Sequence, residues 1–169
     1  MNYFELFGIP VQLKLDVSTL HNRYVSLSRQ HHPDYFVNDT PGAQAEALEK
    51  SAMLNQAYKV FKSQDETIGY VLKEKGLLVE EEKYDLPPAF LMRVMELNEQ
   101  LMEAYDDEGL NRMQIEVDNL QHEIYEPVKE IVEHYQEGVT SEKELLQVKQ
   151  YYFQKKYLDR IRHQLGRKV

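Results

Sequence analysis

Pro33 is the residue that most constrains the fold of this chain, because it stands between two amphipathic helical runs. A proline cannot continue a helix, and it biases the residue before it away from the helical region. We therefore predict that the first run ends near His31, and that His32 and Asp34 are presented on a short, stiff turn. The apolar or partly apolar residues of this run recur at helical spacing and so share one face: Leu20, Tyr24, Leu27 and His31.

A second helix is predicted after the turn formers at residues 38–42. Two helices joined by a loop of this length are expected to pack antiparallel. The N-terminal part is therefore predicted to contain a helical hairpin with His32-Pro33-Asp34 at its tip. The buried face of its second helix is predicted to carry Ala47, Ser51, Leu54, Tyr58 and Phe61.

Four stretches in this part resemble, in the correct order, the J domain, a module that activates heat-shock ATPase chaperones. Residues 2–10 are similar to its first helix and exit turn, residues 23–24 and 30–34 to its second helix and loop, and residues 54–61 to its third helix. One departure is Gly69, which weakens the predicted fourth helix. The resemblance implies a chaperone-binding surface made of His32, Pro33, Asp34, Arg23, Arg29, Asn22 and Ser26.

The composition argues against several classes of protein. The chain has no cysteine, which excludes disulfides and thiolate metal sites and favours a reducing compartment. Its histidines are scattered, so we expect no metal and no cofactor. No Gly-rich phosphate loop or nucleophile elbow is present, so we expect no enzyme but an activator of a partner ATPase. We also expect a cytoplasmic protein with no secretory signal before Tyr3 and no membrane span.

Charge is distributed unevenly along the chain, whose net charge is −9. Residues 80–108 contain 2 Lys or Arg and 10 Asp or Glu, whereas residues 141–169 contain 8 Lys or Arg and 3 Asp or Glu. These segments either attract each other within a helical bundle or meet charged partners. The acidity argues against a nucleic-acid partner, and we interpret the basic stretch at residues 149–168 as a solvated helix face.

A domain boundary is predicted at residues 77–88, where repelling glutamates precede two prolines. The predicted fold is all-α, with a J domain at 1–76, a linker at 77–88 and a three-helix bundle at 89–169. The bundle helices are predicted at 88–105, 107–136 and 141–166. Pro127 either kinks or breaks the middle helix. Ser141 and Glu144 have the spacing of a capping box for the last helix.

The first bundle helix carries two apolar surfaces. One narrow stripe is predicted to enter the core: Phe90, Val94, Leu97, Leu101 and Ala104. A second apolar patch lies to one side, with glutamates at its border. We name it the methionine patch and define it as Leu91, Met92, Met95 and Met102, bordered by Glu96 and Glu99. It either packs against a neighbouring element or forms a protein interface, for which methionine is well suited.

The chain as a whole resembles the HscB-type co-chaperones of iron-sulfur cluster biogenesis, called Jac-type in mitochondria. Residues 89–92 and 95–99 are similar to that family's bundle signature, and residues 157–161 are similar to a stretch of its last helix. The resemblance implies two partners, a DnaK/HscA-class heat-shock chaperone and an IscU-type iron-sulfur scaffold protein. Met95 and Tyr157 replace the Leu and Phe common in relatives, which an apolar contact tolerates. The implied scaffold-binding face contains Leu91, Met92, Met95, Glu96, Glu99 and Tyr157.

An alternative function is a J-domain adaptor for a general chaperone. Its bundle would then bind a different client, or would mediate self-association through Leu91, Met92 and Met95.

Overall fold

The computed structural model describes residues 1–168, and every regular element in that range is a helix. The chain divides into two compact units. One contains Met1–Val71 and Tyr135–Val139, and the other contains Leu72–His134 and the residues from Thr140 onwards. No helix within residues 1–168 is both long and apolar enough to cross a membrane.

The first unit is built on four helices: α1 (Tyr3–Phe7), α2 (Val17–Gln30), α3 (Pro41–Phe61) and the start of α4 (Gln64–Glu74). Asp16 caps α2 by accepting hydrogen bonds from two backbone N–H groups of the first turn. Thr40 caps α3 by accepting one hydrogen bond, from the Ala43 backbone N–H, and Pro41 occupies the first helical position, where its missing N–H has no cost. Gly69 is buried within α4, which continues through it despite the weak helix propensity of glycine.

Helices α2 and α3 form the predicted hairpin. The rings of Tyr24 and Tyr58 are stacked with centroids 4.0 Å apart, and the Tyr24 hydroxyl donates a 2.6 Å hydrogen bond to Asn55 Oδ1. His21 Nδ1 lies 3.0 Å from the Tyr58 hydroxyl. Because earlier residues of α2 contact later residues of α3, the two helices run antiparallel, as predicted.

An aromatic cluster connects α1 to α3 and α4. Phe4 packs on Phe61 with ring centroids 4.8 Å apart, and Tyr3 is stacked on Tyr70 at 4.5 Å. The Tyr3 backbone N–H donates to the Tyr70 hydroxyl at 2.9 Å. Phe4, Phe7 and Phe61 are buried, so the short α1 is held by burial of its aromatic face, since five residues are too few for a stable isolated helix.

The second unit is a three-helix bundle of α5 (Pro88–Glu103), α6 (Asp107–Tyr125) and α8 (Glu142–Lys168), which pack against one another. The short α7 (Lys129–Glu133) packs on α8. All five residues of the predicted core stripe are buried. Ser141 and Glu144 form the predicted capping box: Glu144 N–H donates to Ser141 Oγ at 3.1 Å, and Ser141 N–H donates to Glu144 Oε1 at 3.0 Å.

The structure settles how Pro127 acts on the predicted helix at 107–136. Helix α6 ends at Tyr125, a 3₁₀ turn follows at Glu126–Val128, and α7 begins at Lys129. Of the two predicted alternatives, a kink or a break, the structure shows the break. Val128 is 3% exposed, so the turn is held by burial of an apolar side chain in the bundle.

Opposite charges meet within this unit. Arg162 of α8 is 2.8 Å from Asp118 of α6, and Lys149 of α8 is 2.7 Å from Glu82, which precedes α5. The basic C-terminal segment is thus partly neutralised by acidic residues of its own unit.

Candidate functional site

The predicted turn at His32-Pro33-Asp34 is a short 3₁₀ helix at Pro33–Phe36. His31 ends α2, and His32 has the extended backbone (φ −63°, ψ 131°) expected of the residue before a proline. The His32 ring stacks edge-on to the Tyr35 ring, with centroids 6.4 Å apart. The local sequence therefore determines this tip, with Pro33 setting its direction.

His32 and Asp34 are fixed relative to each other. The Asp34 backbone N–H donates to His32 Nδ1 at 3.2 Å. The side chain of Asp34 is 85% exposed, and its Oδ2 lies 3.6 Å from His32 Nδ1. Asp34 thus presents its negative charge to solvent.

The predicted α2 residues divide into two groups. Asn22, Ser26 and Arg29 are exposed and follow one another at helical spacing on one face. Arg23 also has exposed surface, but its Nε donates a 2.7 Å hydrogen bond to the carbonyl oxygen of Phe7, at the end of α1. Arg23 therefore holds α1 against α2, in addition to any role at the surface.

The methionine patch on α5 lies at the protein surface. Met92 and Met95 are each 62% exposed and Met102 is 72% exposed, while Leu91 is half-buried. Glu96 and Glu99 are exposed. The helices of its own unit therefore leave the three methionines largely uncovered, and the role of the patch as a protein interface stays a prediction.

Tyr157 of α8 lies beside the start of α5. Its ring meets the Phe90 ring edge-on, with centroids 6.2 Å apart, and Phe90 is part of the buried stripe of α5. The guanidinium of Arg160 lies 5.2 Å from the centre of the Tyr157 ring. Tyr157 is half-buried, so one part of the ring packs in the bundle and another part reaches the surface.

A groove between α5, α6 and α8 is a feature that the sequence did not predict. Leu120, Ile124 and Tyr151 supply much of its apolar lining, and the pair of Arg93 and Glu123, 3.6 Å apart, lies at its wall. The groove forms where three helices meet, and its shape depends on the position of α5 relative to α6 and α8. The periodicity of residues within one helix does not reveal how helices are positioned relative to one another. Within residues 1–168, no three His, Asp or Glu side chains are gathered as a metal site requires.

Sequence comparisons find similar proteins for a large part of this chain. Residues 86–166 match a family model described as the HSCB C-terminal oligomerisation domain. The co-chaperone protein HscB homolog of Vibrio parahaemolyticus is 37% identical over 107 residues, which are 63% of this chain and 63% of that protein. The homolog of Vibrio vulnificus is 39% identical over 104 residues, or 61% of each. These matches thus span less than two-thirds of the relatives' length.

Two solved structures share the fold over nearly the whole chain. Chaperone HscB from Vibrio cholerae matches with a TM-score of 0.77 and 26% identity, covering 99% of this chain and 96% of that one. Human co-chaperone protein HscB matches with a TM-score of 0.82 and 24% identity, covering 98% and 81%. The C-terminal half of this chain is thus similar in sequence to HscB co-chaperones, and the whole chain shares their all-helical fold of an N-terminal J domain followed by a C-terminal helical domain.

Proposed function

We propose that this protein is a co-chaperone that binds an IscU-type iron-sulfur scaffold protein and delivers it to a DnaK/HscA-class chaperone, whose ATPase it stimulates. It contributes no catalytic group and acts in the cytoplasm. The observation that carries the proposal is the exposed methionine patch with its acidic border, in a chain that also presents Asp34 at the tip of a J domain. Assistance in iron-sulfur cluster assembly, cluster transfer and protein complex oligomerisation follows from the same two interactions.

The J domain acts through Asp34. Its exposed carboxylate offers a charge-assisted, bidentate pair to an arginine of the chaperone. Asn22, Ser26 and Arg29 guide the approach to an acidic chaperone surface. A J domain that binds the hydrolysis-competent form of the chaperone more tightly than the other form raises the ATPase rate without entering the chemistry.

The bundle holds the scaffold in the meantime. Leu91, Met92, Met95 and Tyr157 offer apolar contact, and Glu96 and Glu99 give charge at the border. Because both activities belong to one chain, binding of the scaffold raises its effective concentration near the chaperone.

Titration of the purified scaffold with a variant carrying both Leu91→Ala and Met95→Ala tests this division of roles. We expect at least about tenfold weaker scaffold binding, with unchanged stimulation of the chaperone ATPase in the absence of scaffold. Asp34→Asn is the matched opposite, which is expected to lose stimulation and keep scaffold binding. If the double variant bound the scaffold like wild type, the patch would not be the scaffold-binding face.

A second candidate function is self-association of the bundle in an adaptor for a general chaperone. The description of the matched family model as an oligomerisation domain favours it, as does the exposure of Met92, Met95 and Met102. Sedimentation velocity separates the two functions. A self-associating bundle changes its sedimentation with concentration and with the Leu91→Ala and Met95→Ala changes, whereas a scaffold adaptor stays monomeric.

A further inference from the structure

Helices α5 and α8 run parallel, and contacts at both ends place residues of one beside residues of the other. Phe90 contacts Tyr157 near the start of α5. At its end, Lys168 Nζ donates to the carbonyl oxygens of Leu101 and Ala104, which are 67 and 64 positions earlier. Arg160, one turn after Tyr157 on α8, therefore lies about one turn beyond Phe90 along the bundle.

The side chain of Arg160 slopes back towards the start of its helix, as helical side chains do. Its guanidinium carbon is 5.2 Å from the centre of the Tyr157 ring, one turn earlier. The charged group is therefore held near the height of Phe90, whose neighbour in sequence, Leu91, belongs to the methionine patch. An aromatic ring below a guanidinium attracts the cation to its face and so fixes its position.

Arg160 has no acidic partner among the described residues. Asp159, its neighbour in sequence, pairs with Lys155 at 2.7 Å, and Arg162 pairs with Asp118 at 2.8 Å. Arg160 itself is exposed. A guanidinium that is positioned on a ring and lacks a counterion within its own unit is well placed to bind a carboxylate from outside in a bidentate manner.

The patch is consequently flanked by opposite charges. Glu96 and Glu99 border it on α5, and Arg160 adds a cation beside Tyr157 on α8. We infer that Arg160 is a specificity-determining residue of the scaffold-binding face, and that it binds a carboxylate that the scaffold protein carries next to its apolar contact residues. The two signs of charge fix one orientation of the docked scaffold, because the reversed orientation places like charges together. This inference rests on the proposed function.

Calorimetric titration of the IscU-type scaffold into the full-length chain tests the inference with three variants. Arg160→Glu is expected to weaken binding at least about tenfold, which corresponds to about 1.4 kcal/mol. Arg160→Met keeps apolar contact with the ring and loses the charge, so we expect a smaller loss and a shallower dependence of affinity on salt. Arg167→Glu makes the same change of charge about two turns later on α8 and is the control, with wild-type affinity expected. Far-UV circular dichroism confirms that each variant is folded.

A charge reversal on the scaffold identifies the carboxylate. One Asp→Lys or Glu→Lys change in the scaffold is expected to weaken binding to the wild-type chain and to restore binding to Arg160→Glu. Two results overturn the inference and leave the proposed function in place: equal affinity of Arg160→Glu and wild type, or equal losses for Arg160→Glu and Arg167→Glu. If the wild-type chain does not bind the scaffold at all, both the proposed function and the inference fail.

Discussion

Glu82 links the segment before α5 to α8 through an ion pair. Its carboxylate lies 2.7 Å from Lys149 Nζ and accepts the Val79 backbone N–H at 3.1 Å. The carboxylate of Glu82 thus contacts both the Lys149 side chain and the Val79 backbone. Nearby in sequence, Tyr84 is stacked on Phe153 of α8, with ring centroids 4.7 Å apart. We predict that Glu82→Gln, which keeps the shape and removes the charge, loosens this segment and destabilises the second unit.

The magnitude follows from the burial of the pair. The Lys149 and Glu82 side chains are 13% and 19% exposed. Exposed ion pairs contribute about 0.2–1 kcal/mol, and removal of one partner from a fully buried pair costs about 3–5 kcal/mol. For this partly buried pair we expect a loss of about 1–2 kcal/mol in the free energy of unfolding, or a fall in Tm of about 2–8 °C.

The loss of unfolding free energy caused by Glu82→Gln should depend on pH. The hydrogen bond from Lys149 is the main cause that lowers the pKa of Glu82 below its usual value of 4.5 in the folded protein, with smaller contributions from the Val79 N–H and the charge of Lys149. A carboxyl group whose folded pKa is lowered stabilises the fold above its unfolded pKa, and this stabilisation is lost as pH falls through the folded pKa. Wild type and Glu82→Gln are therefore expected to differ at neutral pH and to converge as the pH falls below 4.5 through the lowered folded pKa of Glu82.

A double-mutant cycle of Glu82→Gln and Lys149→Met, followed by thermal and urea unfolding with circular dichroism, measures the coupling directly. We expect a coupling energy of about 1 kcal/mol at neutral pH and near zero in acid. Additive effects at neutral pH, or a difference between wild type and Glu82→Gln that is as large in acid as at neutral pH, would refute the reasoning.

Three further changes test packing, capping and backbone strain. Leu158→Ala, at a fully buried site, should lower the free energy of unfolding by about 2–5 kcal/mol. Met95→Ala, at a site that is 62% exposed, should change it by less than about 0.5 kcal/mol. Equal effects of the two changes in urea unfolding would contradict the difference in burial. Ser141→Ala removes the cap of α8 and should cost about 0.5–2 kcal/mol in the same assay; no loss would mean that the cap is dispensable. Glu81 has a φ of 55°, in the left-handed region that favours glycine. In thermal unfolding, Glu81→Gly should therefore leave the fold unchanged in stability or stabilise it by up to about 1 kcal/mol, whereas Glu80→Gly should destabilise it. A destabilising Glu81→Gly would refute the backbone strain at this position.

The tip at His32-Pro33-Asp34 was predictable because local chemistry determines it. Pro33 ends α2 and sets the backbone of His32, whatever the rest of the chain does. The buried stripe of α5 was predictable for a similar reason, since one face of a bundle helix must be apolar. Both predictions depend on spacing within one element.

The features that the sequence left open depend on packing between elements. Pro127 removes one hydrogen bond in either case, and the break follows from the burial of Val128 after it. The resemblance to the J domain implied a role for Arg23 at the chaperone-binding surface, but its bond to Phe7 depends on how α1 meets α2. The pairing of Glu82 with Lys149 joins residues distant in sequence, and no pattern within residues 77–88 reveals it. The domain boundaries at residues 76 and 88, and the two binding surfaces, stay predictions.

The most direct test of the central claim is the steady-state ATPase rate of a DnaK/HscA-class chaperone with this protein, with and without an IscU-type scaffold. We propose that stimulation depends on the exposed carboxylate of Asp34, so Asp34→Asn is compared with wild type. We predict stimulation by wild type that the scaffold amplifies and that Asp34→Asn abolishes. Stimulation that is indifferent to the scaffold would contradict the role of the bundle, and the absence of stimulation from wild type would contradict the co-chaperone function itself.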